Sequence, residues 1–190
     1  MTRIIGIAGS LRRGSYNAAL LRAALEFVPQ GGKLEIEPID AIPLYNYDME
    51  IAGFPAPVAR LKDRVAAADG LLIATPEYNN SIPGVAKNAI DWLTRPADDI
   101  PRVFANKPVA IMGASPGRFG TILSQNAWLS VLRTLGTRPW FGGRLQVSQA
   151  AQMFDAEGRL ANDMVRDLLR KFVEGFFEFA GEQTTDKERS

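Results

Sequence analysis

Residues 3–17 read RIIGIAGSLRRGSYN, and the reading of the chain unfolds from them. RIIGIA is a short apolar run suited to a buried strand. GSLRRGSYN, residues 9–17, is a loop of glycines, hydroxyls and arginines. Ala19, Leu20, Ala23, Ala24 and Phe27 then fall at helical spacing, and Ser15 stands where an N-cap belongs. A strand, a Gly/Ser loop and a helix start form the arrangement that holds a phosphate at a helix N-terminus.

The pattern repeats outward. Residues 33–39 alternate around Leu34 and Ile36, which suits an edge strand. The aromatic loop IPLYNYD follows at 42–48. Pro55 and Pro57 open a second helix carrying Val58, Leu61, Val65 and Ala68. LLIAT, 71–75, is a fully apolar central strand, PEYNNSIPG is its loop, and a helix is expected over 85–93. Residues 95–107 read as a surface connection. A strand over 109–114 leads into the loop SPGRFG, 115–120. The next helix, 121–135, is expected to turn Ile122, Leu129 and Leu132 inward. A last strand over 144–147 and a helix over 160–179 complete the series. This β/α alternation predicts a parallel, doubly wound sheet with helices on both faces. One domain over residues 1–180 and a polar tail over 181–190 are expected.

Composition narrows the chemistry. The 190 residues carry a net charge of +1, so charge alone implies no nucleic acid. No apolar run approaches the roughly 18 residues of a membrane span, and residues 1–8 carry no export signal, so a cytoplasmic protein without a membrane partner is expected. There is no cysteine and no histidine. Thiolate nucleophiles, Ser-His-Asp catalysis and His- or Cys-ligated zinc are therefore excluded. Asp98 and Asp99 read as solvated carboxylates, and no metal is expected. Carboxylates, hydroxyls, Lys/Arg or a borrowed cofactor must do the work.

Ligands of doubly wound sheets bind at the carboxyl ends of the strands. Three loops there are unusual: 9–17, 76–79 and 115–120. The first lacks the Lys-Ser/Thr of a phosphate-binding P-loop and the spacing of a dinucleotide fingerprint. It offers Ser10, Ser15, Asn17, the Arg12 guanidinium and the first N–H groups of the helix, a set suited to a phosphate monoester such as that of flavin mononucleotide (FMN). A capped turn with nothing bound is the alternative. The second loop, Pro76-Glu77-Tyr78-Asn79, can offer backbone groups to the polar edge of a flavin and Tyr78 as a flat surface beside it. In the third, glycines allow close approach to a ligand. Arg118 there suits a nucleotide phosphate or plain solvation. The aromatic 45–47 segment either lines the cleft or packs internally, the latter being commoner.

GSLRRGSYN together with TPEYNNSIPGVAKNAIDWL, residues 75–93, resembles the NAD(P)H-dependent FMN reductases, a group that includes quinone, azo-dye and chromate reductases. The resemblance spans residues 3–179. It implies a flavodoxin-like five-stranded parallel sheet of order 2-1-3-4-5, non-covalent FMN, and NADPH or NADH as co-substrate. It assigns phosphate binding to Ser10, Arg12, Ser15, Tyr16 and Asn17. It assigns flavin contacts to Pro76, Glu77, Tyr78 and Asn79, and to the loop beginning Ser115, Pro116 and Gly117. Hydride would pass from the nicotinamide to flavin N5, then to a quinone, azo compound, free flavin or metal oxyanion, in ping-pong fashion. No side chain is named as acid or base; Tyr78 and Arg118 are candidate substrate contacts. A homodimer or homotetramer is implied. The segment 120–129 departs from the quinone and chromate reductases: an expected arginine is replaced by Leu123. The alternative is a flavodoxin-type electron carrier, which this chain's pI near 8.0 disfavours.

Overall fold

A computed structural model describes residues 1–187. Strands β1 (Thr2–Ala8), β2 (Gly32–Ile36), β3 (Gly70–Ala74) and β4 (Pro108–Ala114) are parallel, and the sheet runs β2-β1-β3-β4-β5. The expected order therefore holds, with one addition. The fifth position is filled by two short pieces, β5 (Arg138–Pro139) and β6 (Leu145–Val147), both parallel to β4. Between them the chain leaves the sheet because the Trp140 indole folds beneath two glycines. A Cβ on Gly142 or Gly143 would come within 2.6 or 2.8 Å of that ring.

Helices cover both faces. Helices α1 (Tyr16–Ala24) and α7 (Asp163–Lys187) pack on one side, where Ile4, Leu20, Phe172 and Phe176 share a core. On the other side lie α3 (Ala56–Ala66), α4 (Gly84–Leu93), α5 (Ile100–Phe104) and α6 (Ile122–Thr134), with Ile5, Ile7, Leu61, Ile90 and Trp128 buried among them. Alternate residues of β1 thus serve opposite cores, as the two-residue repeat of a strand requires. Each fully buried Leu or Ile contributes roughly 1.5–3 kcal/mol of transfer free energy.

Several expectations need correction. A short helix α2 (Tyr47–Ala52) stands inside the stretch read as loop. The expected surface connection at 95–107 contains α5, whose Val103 and Phe104 are fully buried. Helix α6 turns Ser124, Trp128 and Leu132 inward and leaves Ile122 and Leu129 exposed. Asp99 is paired with Lys62 at 2.7 Å and with Arg102 at 3.3 Å rather than solvated. Helix α7 runs to Lys187, well into the stretch read as a tail, and the remainder of that stretch, 188–190, lies outside the described residues. Among the described residues no helix is long and apolar enough to cross a membrane.

Candidate functional site

The first loop follows β1 into α1. Ser15 caps the helix, its hydroxyl accepting from the Ala18 amide at 3.2 Å. The amides of Tyr16 and Asn17 make no hydrogen bond among the described residues, as expected for a first turn. The Arg12 and Arg13 side chains are exposed and have no ion-pair partner among those residues. Arg12 lies over the Tyr16 ring, 5.2 Å from its centroid, and Tyr16 stacks on Phe154 at 5.5 Å. The Asn17 carboxamide is engaged elsewhere. It is buried and makes a two-way bond with Ala114 at the end of β4, donating to its carbonyl at 2.8 Å and accepting from its amide at 2.9 Å.

The second loop is a two-residue hairpin turn. Tyr78 and Ser81 exchange backbone hydrogen bonds at 3.2 and 3.1 Å, and Asn79 and Asn80 both have positive φ, 50° and 61°. Asparagine tolerates that region, which explains the Asn-Asn pair. Neither Asn80 nor Ser81 caps α4; Pro83 stands at that position. Tyr78 is held out of the turn, about half exposed, with its hydroxyl 3.3 Å from Ser10 Oγ. The Glu77 carboxylate instead reaches α6, accepting from the amides of Leu123 at 2.8 Å and Ser124 at 3.0 Å.

The third loop folds on itself. Ser115 Oγ donates to the Gly120 carbonyl at 2.7 Å and accepts from the Gly117 amide at 3.2 Å. Gly120 has a φ of 62°, which allows the backbone to press against Gln146. Pro116, Gly117 and Arg118 are exposed, and Arg118 has no ion-pair partner among the described residues.

Three ties therefore draw the loops together: Asn17 to Ala114, Tyr78 to Ser10, and Glu77 to the start of α6. Gly9 completes the closure. A Cβ there would stand 3.1 Å from both Pro76 Cδ and Ala86 Cβ, so any larger residue would have to push the first two loops apart by a few tenths of an ångström. Beneath them Thr75 is fully buried, sharing a hydrogen bond with Ser124 at 2.9 Å and accepting from the Trp128 indole at 3.1 Å. Sequence reading missed this knot. Its only signal is a threonine ending an otherwise apolar strand.

The donor set of the first loop fits the phosphate of FMN: two guanidiniums without an ion pair among the described residues, the Ser10 hydroxyl and two open amides at a helix N-terminus. A separate cavity of about 300 Å³, bounded by α6 and the interrupted fifth strand, contains no residue of the three loops.

The aromatic stretch docks on α4. Pro43 O accepts from Asn88 and from the Trp92 indole, both at 2.8 Å, and the Tyr45 ring meets Trp92 edge-on at 5.0 Å. Glu50 accepts from Tyr45 at 2.8 Å and from Arg95 at 2.9 Å. The Arg95 hydrogen bond holds the Glu50 carboxyl below its ordinary range, while donation to Glu50 raises the Tyr45 phenol.

Comparison with known proteins agrees with the geometry. The family model for NADPH-dependent FMN reductase matches residues 2–152. An NAD(P)H-dependent FMN reductase of Pseudomonas aeruginosa is 47% identical over 89% of this chain and 90% of its own. A 2-hydroxy-1,4-benzoquinone reductase of Burkholderia is 35% identical over 92% and 93%. The solved structure of FerB, a flavoenzyme NAD(P)H:(acceptor) oxidoreductase from Paracoccus denitrificans, superposes with a TM-score of 0.86 at 32% identity, covering 96% and 98% of the two chains. With its parallel sheet of order 2-1-3-4-5 and its three-loop site, this chain belongs to the NADPH-dependent FMN reductase family.

Proposed function

We propose that the chain is an NAD(P)H:acceptor oxidoreductase that holds FMN across its three loops and reduces a quinone-type acceptor. The observation that carries this reading is the unspent donor set at the start of α1, tied to the 76–79 turn through Ser10 and Tyr78. Bound FMN would supply the hydride chemistry, accepting from the nicotinamide and passing reducing equivalents onward. The chain's residues bind and orient. Arg12, Ser10 and the amides of Tyr16 and Asn17 receive the phosphate, with Arg13 as a second cation. Ser15 and the Asn17 side chain shape the helix start. Pro76 to Asn79 and the turn of Ser115, Pro116 and Gly117 present backbone to the ring. Tyr78 forms one wall of the entrance, and Arg118 is free to meet a nucleotide phosphate.

The exposed side chains on these loops, Leu11, Tyr78 and Phe119, support an uncharged planar acceptor over an oxyanion. A pyridine-nucleotide donor supports a cytoplasmic setting. A homo-oligomer is supported by the exposed Leu44, Tyr47, Met49 and Ile51 on and beside α2; sedimentation at several concentrations checks it. The function itself is tested by loading the protein with FMN and mixing it anaerobically with NADPH or NADH, then with 1,4-benzoquinone. Rapid bleaching of the flavin band and its return on adding quinone is the expected result. A protein that binds FMN but is reduced by neither nucleotide is an electron carrier.

A further inference from the structure

The geometry points to Glu77 as a positioning residue that caps helix α6 from outside and fixes the acceptor entrance. An N-cap side chain ordinarily accepts from the second and third amides of its helix. In α6 these belong to Leu123 and Ser124, and both are bound by one oxygen of Glu77, at 2.8 and 3.0 Å. The residue at the cap position, Thr121, makes no capping bond; its hydroxyl accepts from Gln125 at 3.0 Å. The carboxylate also places negative charge at the positive end of a 13-residue helix.

The cap comes from the hairpin turn, so it joins two elements that nothing in their local sequence joins. Tyr78 is the next residue on one side, and Leu123, about half exposed, is the residue held on the other. The Thr75–Ser124–Trp128 knot anchors the same junction from below. Glu77 therefore sets the distance between Tyr78 and Leu123. Its side chain is committed to the helix and not to the flavin. This inference rests on the reductase reading for its effect on the acceptor, but the cap exists without flavin and can be measured without it.

Amide hydrogen exchange on the full chain without FMN tests the cap directly. Glu77→Ala is expected to speed exchange at Leu123 and Ser124 about five- to ten-fold, the size of a lost N-cap. In the FMN-loaded enzyme it is expected to raise KM for 1,4-benzoquinone several-fold. Glu77→Gln keeps an accepting oxygen and is expected to restore most of both losses. Glu77→Asp, one methylene short, replaces the alanine variant if that does not fold. Unchanged exchange at Leu123 and Ser124 would overturn the cap. Faster exchange with unchanged quinone KM would overturn the link to the entrance. Equal slowing of flavin reduction in the Ala and Gln variants would assign Glu77 to the flavin instead. Failure of wild type to bind FMN would remove the reductase reading and leave the exchange result to decide the cap.

Discussion

The loop at 9–17 and the stretch at 42–54 follow neighbouring strands, β1 and β2, and both carry polar and aromatic side chains. They differ in what their polar groups are doing. In 42–54 the groups are satisfied within the stretch or by α4 and Arg95 beyond it: Pro43 O holds Asn88 and Trp92, Tyr45 and Arg95 meet on Glu50, and Asn46 caps α2. In 9–17 two guanidiniums without an ion pair and two helix amides are left over among the described residues. A buried or half-buried polar group without a partner costs free energy, so a fold leaves donors unspent where a ligand will meet them or where water does. Both loops carry polar side chains, and the hydrogen-bond inventory shows which of them are already engaged.

Trp92 gives the largest expected effect. It is fully buried, packs on Tyr45 and Phe54, and donates to Pro43. Trp92→Ala should cost about 3–5 kcal/mol in a denaturant melt. If 42–54 is a packing unit, the remaining folded fraction should keep its preference for FMN over riboflavin. Loss of that preference would break the contrast between the loops. Asn17 comes next, because its side chain belongs to the first loop but its bonds go to Ala114. Asn17→Ala strands a buried N–H and C=O and should cost about 2–4 kcal/mol, two unsatisfied groups at roughly 1–3 each with partial relief. Unlike Trp92→Ala, it should also loosen FMN.

How far the sequence foretold these regions depends on which force dominates each. The two-residue and helical repeats of apolar side chains made β1, β3, α3 and α4 legible, because burial decides them. Helix α6 misled. Its buried face carries Ser124, whose hydroxyl is met by Thr75, 49 residues away just past the end of β3. A stripe drawn through Ile122 and Leu129 looked more apolar than the true one. Helix α2 is a six-residue turn with no buried residue, so no repeat marked it. The split fifth strand depends on an indole lying under glycines, a contact with no local signature. In the site, the types and spacing of residues brought out the three loops. What each side chain is bonded to was beyond reach: the Asn17 carboxamide and the Glu77 carboxylate are engaged by Ala114 and the start of α6, which leaves only the backbone of these two residues for a ligand.

Arg12 sharpens the contrast further. Its guanidinium has no ion pair to lose among the described residues, so Arg12→Ala should leave the flavin-free melting temperature within about 1 °C, in keeping with ordinary surface substitutions. FMN affinity should fall about ten- to hundred-fold, a charge-assisted bond of roughly 1.5–3 kcal/mol, while riboflavin affinity stays put. Fluorescence titration with both flavins reads this. An equal loss for both would place the guanidinium on the ring and not on the phosphate.

The smallest effect is a pH dependence, and it belongs to the satisfied loop. The hydrogen bond from Arg95 lowers the folded-state titration of Glu50 below its unfolded value, with a further contribution from Tyr45 and partial opposition from desolvation. A carboxyl depressed on folding stabilises above its unfolded pKa, and that contribution fades as pH falls through the folded one. The folded protein should therefore lose stability below the ordinary carboxylate range, and Glu50→Gln should flatten part of that acid limb while lowering stability at neutral pH. Urea melts of the flavin-free protein across the acid range measure both. No such term is expected from the first loop, which carries no carboxyl side chain. An Arg12→Ala variant with the same flattening as Glu50→Gln would mean that Arg12 is already paired in the folded chain, and the distinction between spent and unspent donors would fail.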